Sequence, residues 1–527
     1  MKNILKYLLI GAVSLFTIAC ENIDTLNEDP NNPAEVPSNM LMSGAEKWIM
    51  DNVYDNWFSG RQCLVYSQYW SQRNYTEEDR YQIRESVNNS YFNYLYMGIA
   101  NLNKVIKMNT DETTKNTSSA YGANANQIAA AKILKVWLMQ VITDTWGSVP
   151  YSEISQLEEG VIYCKYDDQK ELYTKLIEEL SEAVNMIDEN ETAFTSGDII
   201  YGGDASKWKK FGNSLKCRLA IHISKVDTNW KKYIQEALAS GVFESNSDCA
   251  LYKYSTSGSE YCKFYEGWYV DGRNDFTMAK PLMDILKGVK DDLNGKSHPF
   301  EGIVDPRLSL YTTSYNGNYK GMPYGAPSST TAGLRGGTPN WYYYPSVVQK
   351  ADFSIPLMNY DELLFIVSEY KNFSEEEYKK GIEASITLWM KFNGEGAGVT
   401  QENIDSYVSS VVAKGVNAET VALQKYIALY MNGTEAWTEI RRTGYPEQIL
   451  RPGEITAVLN DNNIIFNPLS EVKGDIIARV KYPTNESSLN GSNWTEAVSK
   501  LQDGTNNYYS KMFWDVRKTS YEHPTNK

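Results

Sequence analysis

The feature that most constrains the fold is a stripe of apolar side chains that recurs at helical spacing. Between residues 169 and 188 the apolar positions follow one another at i, i+4, i+5 and i+8, which places them on one face of an α-helix. Asp167 and Asp168 precede this segment and are candidates for its N-cap, where a carboxylate is favourable. Stripes of the same kind run over 86–108, 128–142 and 205–226. The pattern predicts a mainly α fold.

The spacing of these helices carries further information. They begin near residues 86, 126, 168 and 205, about 40 residues apart. A period of this length is typical of stacked helical hairpins of the tetratricopeptide kind. No consensus repeat sequence accompanies the spacing, and a simple helical bundle would produce the same stripes. Periodicity alone therefore leaves both solenoid and bundle open.

The composition changes between about 246 and 356, where Gly, Pro, Ser and Tyr predominate. Short strands and long loops are predicted for this insert. Helices are predicted again over 361–371, 375–392, 404–412 and 418–430. The chain is thus interpreted as helical halves of about 86–245 and 360–442 around a loop-rich insert. Because ordering so long a loop segment is costly, the insert is expected to carry function.

The first twenty residues have the pattern of an export signal. Lys2 and Lys6 precede a twelve-residue apolar run that would span about 18 Å as a helix, too short for a bilayer core of about 30 Å. The run ends in Thr17-Ile-Ala-Cys20, which resembles a bacterial lipobox. We therefore predict a signal peptide over 1–19, lipidation of Cys20, a tether over 20–45 and a folded domain over 46–527. The alternative is an ordinary signal cleavage site beside a buried cysteine.

The five other cysteines are an odd number and include no C-x-x-C pair. Cys249 and Cys262 could bridge a hairpin, although a chain of this length does not need a disulfide scaffold. The pattern favours free thiols over a disulfide framework.

The composition argues against several functional classes. Asp and Glu number 66 against 51 Lys and Arg, a net charge of −15 without any basic run, so nucleic-acid binding is not expected. The three histidines lie far apart, which argues against a histidine-rich metal site. The sequence contains no H-E-x-x-H, G-x-S-x-G or Walker A motif. We expect no enzyme activity, metal or other cofactor, although 66 acids leave a carboxylate pair for glycoside hydrolysis open.

Seven short motifs occur in one order along the chain. They are Asn27-Glu-Asp-Pro30-Asn-Asn-Pro33, Thr143-Asp-Thr-Trp146-Gly-Ser-Val-Pro150-Tyr151, Tyr166-Asp-Asp-Gln-Lys-Glu-Leu-Tyr173, Trp208-Lys-Lys-Phe-Gly-Asn213-Ser-Leu-Lys-Cys-Arg218, Asp305-Pro-Arg307, Asn432-Gly-Thr-Glu-Ala-Trp437-Thr-Glu-Ile-Arg441-Arg442 and Arg479-Val-Lys-Tyr482-Pro483. Their order, behind a lipoprotein signal, resembles the SusD/RagB nutrient-binding outer-membrane lipoproteins of Bacteroidetes, in the SusD-like branch. Locally the motifs are expected to be structural: Trp208 and Trp437 in the core, and Arg441 and Arg442 at a helix C-terminus.

The resemblance implies a lipid-anchored protein on the extracellular face of the outer membrane. It implies a SusC-like TonB-dependent barrel as partner, with this chain as its lid, and a loop-rich face that binds an oligosaccharide or a short peptide. The chain contains 39 Tyr and 13 Trp, and such rings suit the apolar faces of sugars. The alternatives are a surface glycan hydrolase or lyase, and a helical adhesin that binds without transport.

Two aromatic regions are candidates for the ligand site. The first runs from Tyr66 to Tyr81 and contributes Tyr69, Trp70, Arg73 and Tyr75. The second lies in the insert, where Trp268, Tyr319, Trp341, Tyr342 and Tyr343 are the predicted contacts, with Tyr269, Arg273, Tyr315, Tyr324 and Tyr344 nearby. Trp70 and Trp341 are expected to act as stacking platforms because each is flanked by tyrosines in loop-like sequence. The alternative is that many of these rings pack the loops against the helices.

Overall fold

The computed structural model describes residues 36–156, 159–258, 260–314, 317–335, 345–394 and 398–518. Its helices are α1 (Ser38–Val53), α2 (Glu85–Thr110), α3 (Asn124–Trp146), α4 (Gln169–Met186), α5 (Ala205–His222), α6 (Trp230–Ser240), α7 (Lys280–Leu286), α8 (Arg307–Tyr311), α9 (Ser328–Arg335), α10 (Tyr360–Tyr370), α11 (Glu375–Asn393), α12 (Gln401–Val412), α13 (Ala418–Ala428), α14 (Gly433–Thr443), α15 (Thr484–Leu489) and α16 (Gly491–Ser499). Single helical turns connect them at Leu64–Tyr66, Lys115–Ser118 and Lys263–Tyr265. None of the described helices is long and apolar enough to cross a membrane.

The strands are short and form two-stranded antiparallel sheets. They are β1 (Trp70–Gln72) with β5 (Phe276–Met278), β2 (Val149–Pro150) with β3 (Tyr166–Asp167), β4 (Ala250–Tyr252) with β6 (Ile355–Met358), and β7 (Ile455–Leu459) with β8 (Asn462–Ile465). Three of these strands, β4, β5 and β6, belong to the insert. The predicted mainly α fold class, with short strands in the insert, is confirmed.

The first helices pack as their spacing predicts. From α1 to α6 each helix contacts the next one along the chain, and α5 also contacts α10 of the second half. This succession of neighbour contacts is that of stacked helical hairpins. The stack therefore continues from one helical half into the other.

Helix α4 shows how the sequence sets the ends and the buried face of these elements. The Asp168 carboxylate accepts the backbone N–H groups of Lys170 and Glu171 at 3.0 and 3.3 Å, which confirms the predicted N-cap. The apolar stripe that includes Leu172 and Leu176 is buried. A strongly amphipathic helix with a capped start is what the sequence pattern requires.

Two parts of the chain differ from the sequence-based expectation. Helix α1 begins at Ser38 and buries Met42 and Ala45, so residues 38–45 belong to the folded domain and the tether predicted over 20–45 is too long. The polar residues Ser38, Asn39 and Glu46 interrupt the buried stripe of this helix, so apolar periodicity does not mark its start. The insert also contains the short helices α7, α8 and α9 where only strands and loops were predicted.

Buried arginines join the elements in the core. Arg441 donates to the backbone carbonyls of Asp144 and Ala478, both at 2.9 Å, and its guanidinium stacks 3.6 Å from the Trp437 ring centroid. Arg442 forms two hydrogen bonds, of 2.8 and 2.7 Å, with the Glu369 carboxylate. The motif arginines of α14 thus fix the helical halves and the C-terminal segment to one another, as the structural interpretation predicts.

The cysteines of the described chain are all free thiols, so Cys249 and Cys262 do not form the possible hairpin disulfide. Both are buried, and burial raises the pKa of each thiol. They behave as small packing residues. Cys20, the predicted lipidation site, lies outside the described residues.

Candidate functional site

The two aromatic regions singled out in the sequence meet where β1 pairs with β5. Gln72 lies opposite Phe276 in this antiparallel pair. One residue further on, the Arg73 N–H donates to the Asp275 carbonyl at 2.7 Å. The early segment and the central insert therefore contribute to one surface, although some 200 residues separate them along the chain.

Trp57 lies on this surface with 38% of its area exposed. Three guanidinium groups surround its ring: the Cζ atoms of Arg61, Arg273 and Arg84 lie 4.9, 5.3 and 5.8 Å from the ring centroid. Cations at these distances are attracted to the π face of an indole. The arginines therefore hold Trp57 in place while leaving part of its ring open to solvent.

Two buried carboxylates, those of Asp275 and Glu78, form ion pairs with the arginines around Trp57. Arg61 Nη2 lies 2.7 Å from Asp275 Oδ2, and Arg84 Nε lies 3.0 Å from Glu78 Oε1. Arg61, Glu78 and Asp275 are all buried. In contrast, the side chains of Arg84 and Arg273 are 43% and 40% exposed. The acids of this cluster face the interior, and two of its cations face solvent.

A ladder of tyrosines extends the surface along the insert. The rings of Tyr261 and Tyr265 lie 5.2 Å apart, and those of Tyr265 and Tyr269 lie 5.0 Å apart. Tyr269 ends the ladder with 55% of its area exposed. We refer to Trp57, Arg61, Arg84, Tyr269 and Arg273 together as the Trp57 face.

The turn that carries Tyr269 packs closely against the segment before Trp57. A Cβ atom at Gly267 would lie 1.9 Å from Asn56 Nδ2, so only glycine permits this approach. Asn56 Nδ2 also donates to the Lys263 carbonyl at 2.6 Å. The Asn56 side chain thus fixes the position of the insert turn relative to Trp57.

Three of the predicted binding residues lie at this surface or beside it. Arg73 is buried at the end of β1, and Tyr75, two residues later, is 55% exposed. Trp268 precedes Tyr269 in the insert turn, where it is half-buried and packs partly against the core. Ligand contact by each of these three residues stays a prediction.

The structure corrects the expectation for Tyr69 and Trp70, which have no exposed surface. The Tyr69 hydroxyl donates to the Tyr426 carbonyl, and Trp70 Nε1 donates to the Tyr430 hydroxyl at 3.2 Å. Trp70 also packs edge-on against Phe264 at 5.2 Å. Both rings fill the core beneath the Trp57 face, because Tyr426 and Tyr430 of the second helical half pack against them.

Tyr319 lies elsewhere, in a cleft of about 510 Å³ between the 302–309 segment and α12. Asn403, Ser406 and Ser410 of α12 give this cleft a polar wall. Tyr324, another tyrosine of the insert, is buried. Trp341, Tyr342 and Tyr343 lie outside the described residues, as do Tyr315 and Tyr344. The structure therefore does not bring all the predicted contacts into one site.

Trp57, Arg61 and Arg84 are the residues of the face that the sequence analysis missed. Trp57 and Arg61 precede the first of the two aromatic regions, and Arg84 lies just before helix α2. None of them has a local pattern that marks it as functional. Their significance depends on a contact with the insert, which only the tertiary structure provides.

Among the described residues, one buried group has the composition of a metal site. It consists of His222, Glu435 and Glu439, whose ligand atoms lie within 4.8 Å of one another. His222 Nε2 is 2.8 Å from Glu435 Oε1, while Glu439 pairs with Arg442 at 2.8 Å and Lys425 at 3.2 Å. Burial alone would raise the pKa of Glu435, but His222 and the neighbouring cations lower it below its ordinary value. Side-chain cations thus already neutralise these carboxylates, and we interpret the group as structural.

Comparisons with known proteins agree with this architecture. A structure described as a chitin-binding protein has 25% sequence identity and a TM-score of 0.72, with 90% of this chain and 100% of that chain covered. A SusD homologue from Parabacteroides distasonis has 22% identity and a TM-score of 0.71, with coverage of 91% and 98%. A chitin-binding SusD homologue from Flavobacterium johnsoniae has 21% identity and a TM-score of 0.68, with coverage of 91% and 100%. No curated protein sequence matches the chain.

A family model supplies the assignment. The model named SusD-like, described as starch-binding and associating with the outer membrane, matches residues 30–467. The matched range includes the Trp57 face, both helical halves and most of the motifs noted in the sequence. Together with the shared fold, this match confirms the predicted resemblance: the chain belongs to the SusD-like family.

Proposed function

We propose that this chain is a cell-surface lipoprotein that captures oligosaccharides on the Trp57 face and delivers them to a SusC-like TonB-dependent barrel, over which it acts as the lid. The observation that carries the proposal is the exposed aromatic surface of Trp57 and Tyr269 on a SusD-like fold. A sugar ring has an apolar face that stacks on such rings, while its hydroxyl groups bind polar side chains at the rim. Arg84 and Arg273 provide donors for those hydroxyls.

Glycan is favoured over peptide by the comparisons. The family description names starch, and two of the structurally similar proteins are described as chitin-binding. The Trp57 face also offers aromatic planes and guanidinium groups rather than a strand edge onto which a peptide would add. Binding of a short peptide is the alternative that the titrations below must exclude.

The membrane part of the proposal depends on the N-terminus and the family. The lipobox-like segment that ends at Cys20 provides a lipid anchor, and the family is associated with the outer membrane. The acidic residues that follow, among them Glu21, Asp24 and Glu28, suit either a surface-export signal or a solvated tether. An anchored chain on the extracellular face would stay close to the mouth of a barrel.

Two measurements test the proposal. Calorimetric titration with malto-, chito- and acidic oligosaccharides, and with short peptides, should give saturable binding of a glycan, and chromatography should recover that glycan unchanged. Cleavage of the glycan would instead support a surface hydrolase or lyase. Affinity isolation from solubilised outer membrane should recover a TonB-dependent barrel with this chain; glycan binding without any barrel would favour an adhesin.

A further inference from the structure

We propose that the ligand of the Trp57 face is an acidic oligosaccharide, whose carboxylate or sulfate groups bind Arg84 and Arg273 while a sugar ring stacks on Trp57. This inference rests on the proposed function and specifies its substrate class. It is drawn from the distribution of charge around Trp57. A site for neutral sugars requires rings and hydrogen-bond donors, but it does not require a concentration of positive charge.

The cluster holds more positive than negative charge. Arg61, Arg84 and Arg273 surround the Trp57 ring, and the carboxylates that form ion pairs with them are those of Glu78 and Asp275. Three guanidinium groups thus share two carboxylates. This excess occurs in a chain whose net charge is −15. An acidic protein that gathers cations around one exposed tryptophan favours anions at that place.

The carboxylates and the exposed arginines of the Trp57 face lie at different depths below the protein surface. Both carboxylates are buried, whereas the side chains of Arg84 and Arg273 are 43% and 40% exposed. Arg273 Nη1 lies 4.0 Å from Asp275 Oδ2, a distance beyond that of a hydrogen bond. A ligand that approaches from solvent therefore meets the guanidinium groups before it meets the acids.

The buried Arg61 side chain is not fully satisfied by hydrogen bonds. Its Nη1 atom is buried without a hydrogen-bond partner, and the nearest ion-pair oxygen, Glu78 Oε2, is 3.8 Å away. Buried polar groups normally form hydrogen bonds, so a guanidinium nitrogen without one beside the Trp57 ring is unusual. Arg61 thus places a third guanidinium group behind the exposed arginines, and it shares Glu78 with Arg84 and Asp275 with Arg273. Guanidinium groups bind carboxylate and sulfate oxygens with paired hydrogen bonds.

The test uses glycans that differ only in charge. Oligogalacturonates with free carboxylates are compared with the same oligomers as methyl esters, and alginate and chondroitin fragments are compared with neutral malto- and chito-oligosaccharides. The proposal expects at least one acidic series to bind about tenfold or more tightly than its neutral counterparts. Its affinity should fall as NaCl rises from about 0.05 M to about 0.5 M, because the Debye length shrinks below ~5 Å.

Arginine variants test whether the preference for acidic glycans arises at the Trp57 face. Arg273→Gln and Arg84→Gln should each weaken binding of the acidic series by about tenfold and reduce its salt dependence, while Arg273→Lys keeps part of both. Lys232→Gln is the matched control, since it removes one exposed cation from α6. If a neutral series binds as tightly as every acidic series, and the arginine variants lose no affinity, the ligand is not an acidic oligosaccharide. That result is still compatible with glycan capture. Failure of every glycan to bind overturns both.

Discussion

Arg218 of α5 and Glu362 of α10 form a two-armed ion pair in the middle of the core. The Nε and Nη2 atoms of Arg218 each lie 2.6 Å from one carboxylate oxygen of Glu362, and both side chains are 1% exposed. The same guanidinium donates to the Leu357 carbonyl at 2.9 Å. The pair therefore ties the first helical half to the second across the stack.

Replacement of Arg218 by Met should lower the free energy of unfolding by about 3–5 kcal/mol, because Glu362 is left buried without its partner. Urea unfolding measures the change. The control is Lys379→Met, which removes an exposed pair with Glu375 and should cost less than about 1 kcal/mol. Equal losses in the two variants would show that the buried pair does not hold the halves together.

A second prediction separates the exposed tryptophan from the buried one. Trp57→Ala should weaken oligosaccharide binding by about 2 kcal/mol, roughly thirtyfold, and leave the thermal midpoint nearly unchanged, because the ring is exposed at the face. Trp70→Ala should lower the free energy of unfolding by about 3–5 kcal/mol, since it empties a packed core position. Calorimetric titration and thermal melts on both variants distinguish the two roles. Unchanged affinity in Trp57→Ala would remove the ring from the site.

These tryptophans also show what the sequence could and could not predict. The helical stripes fixed α2 to α5 to within a few residues, because burial on one face imposes a period that local sequence reveals. In the 66–75 segment, aromatics at every third or fourth residue predict a ligand loop, whereas the structure buries Tyr69 and Trp70. The exposure of an aromatic ring depends on what packs over it. Here Tyr426 and Tyr430 do so, and they lie 357 and 360 residues further along the chain than Tyr69 and Trp70.

The rest of the Trp57 face is equally a product of tertiary structure. Arg84 and Arg273 are ordinary charged residues in sequence, and they acquire their role by meeting at one ring. The two aromatic regions do converge at β1 and β5, while ligand contact by Tyr75 and Trp268 stays a prediction. The regions were therefore easier to predict than the individual residues.

A third prediction concerns pH and the buried Asp79. Its Oδ2 accepts from the Ser71 hydroxyl at 3.1 Å and the Gln72 N–H at 3.2 Å, while Oδ1 has no hydrogen-bond partner. Burial raises the pKa of this carboxyl to about 8. Between pH ~4 and ~8 the unfolded chain releases the proton that the folded chain retains, so this group makes stability fall as pH rises.

Asp79→Asn removes that titration and should therefore gain stability relative to the parent as pH increases through this window, with a slope approaching ~1.4 kcal/mol per pH unit. Urea unfolding of both proteins at pH 5 and pH 8 measures the difference. Asp111→Asn is the control, because the pKa of exposed Asp111 is lowered by hydrogen bonds from Thr113 and its titration ends below this window. A difference for Asp79→Asn that stays constant with pH would contradict an elevated pKa.

A fourth prediction tests the anchor. Cys20→Ala should move the protein from the membrane fraction to the soluble fraction, because each acyl chain contributes ~0.8 kcal/mol of membrane affinity per buried methylene. Cell fractionation and detergent phase separation measure how the protein is distributed between the membrane and soluble fractions. Cys164→Ala, which alters a partly exposed thiol of the folded domain, should remain with the membrane. Membrane retention of Cys20→Ala would remove the lipoprotein interpretation.

The last prediction tests whether the insert turn must lie against the Trp57 segment for binding. Gly267→Ala places a Cβ 1.9 Å from Asn56 Nδ2 and 2.5 Å from its Cγ. Either the Asn56 side chain rotates and gives up its hydrogen bond to the Lys263 carbonyl, or the turn that carries Trp268 and Tyr269 moves, and both changes loosen the turn from the Trp57 segment. We expect affinity for the oligosaccharide to fall by about tenfold or more, since both sides of the face are needed at once. Gly258→Ala, with no atom within 4 Å of its added Cβ, should bind normally. Asn56→Ala introduced into Gly267→Ala removes the clash and should restore part of the affinity. Calorimetric titration of the four proteins measures these differences, and full affinity in Gly267→Ala would show that the insert turn does not contribute to the site.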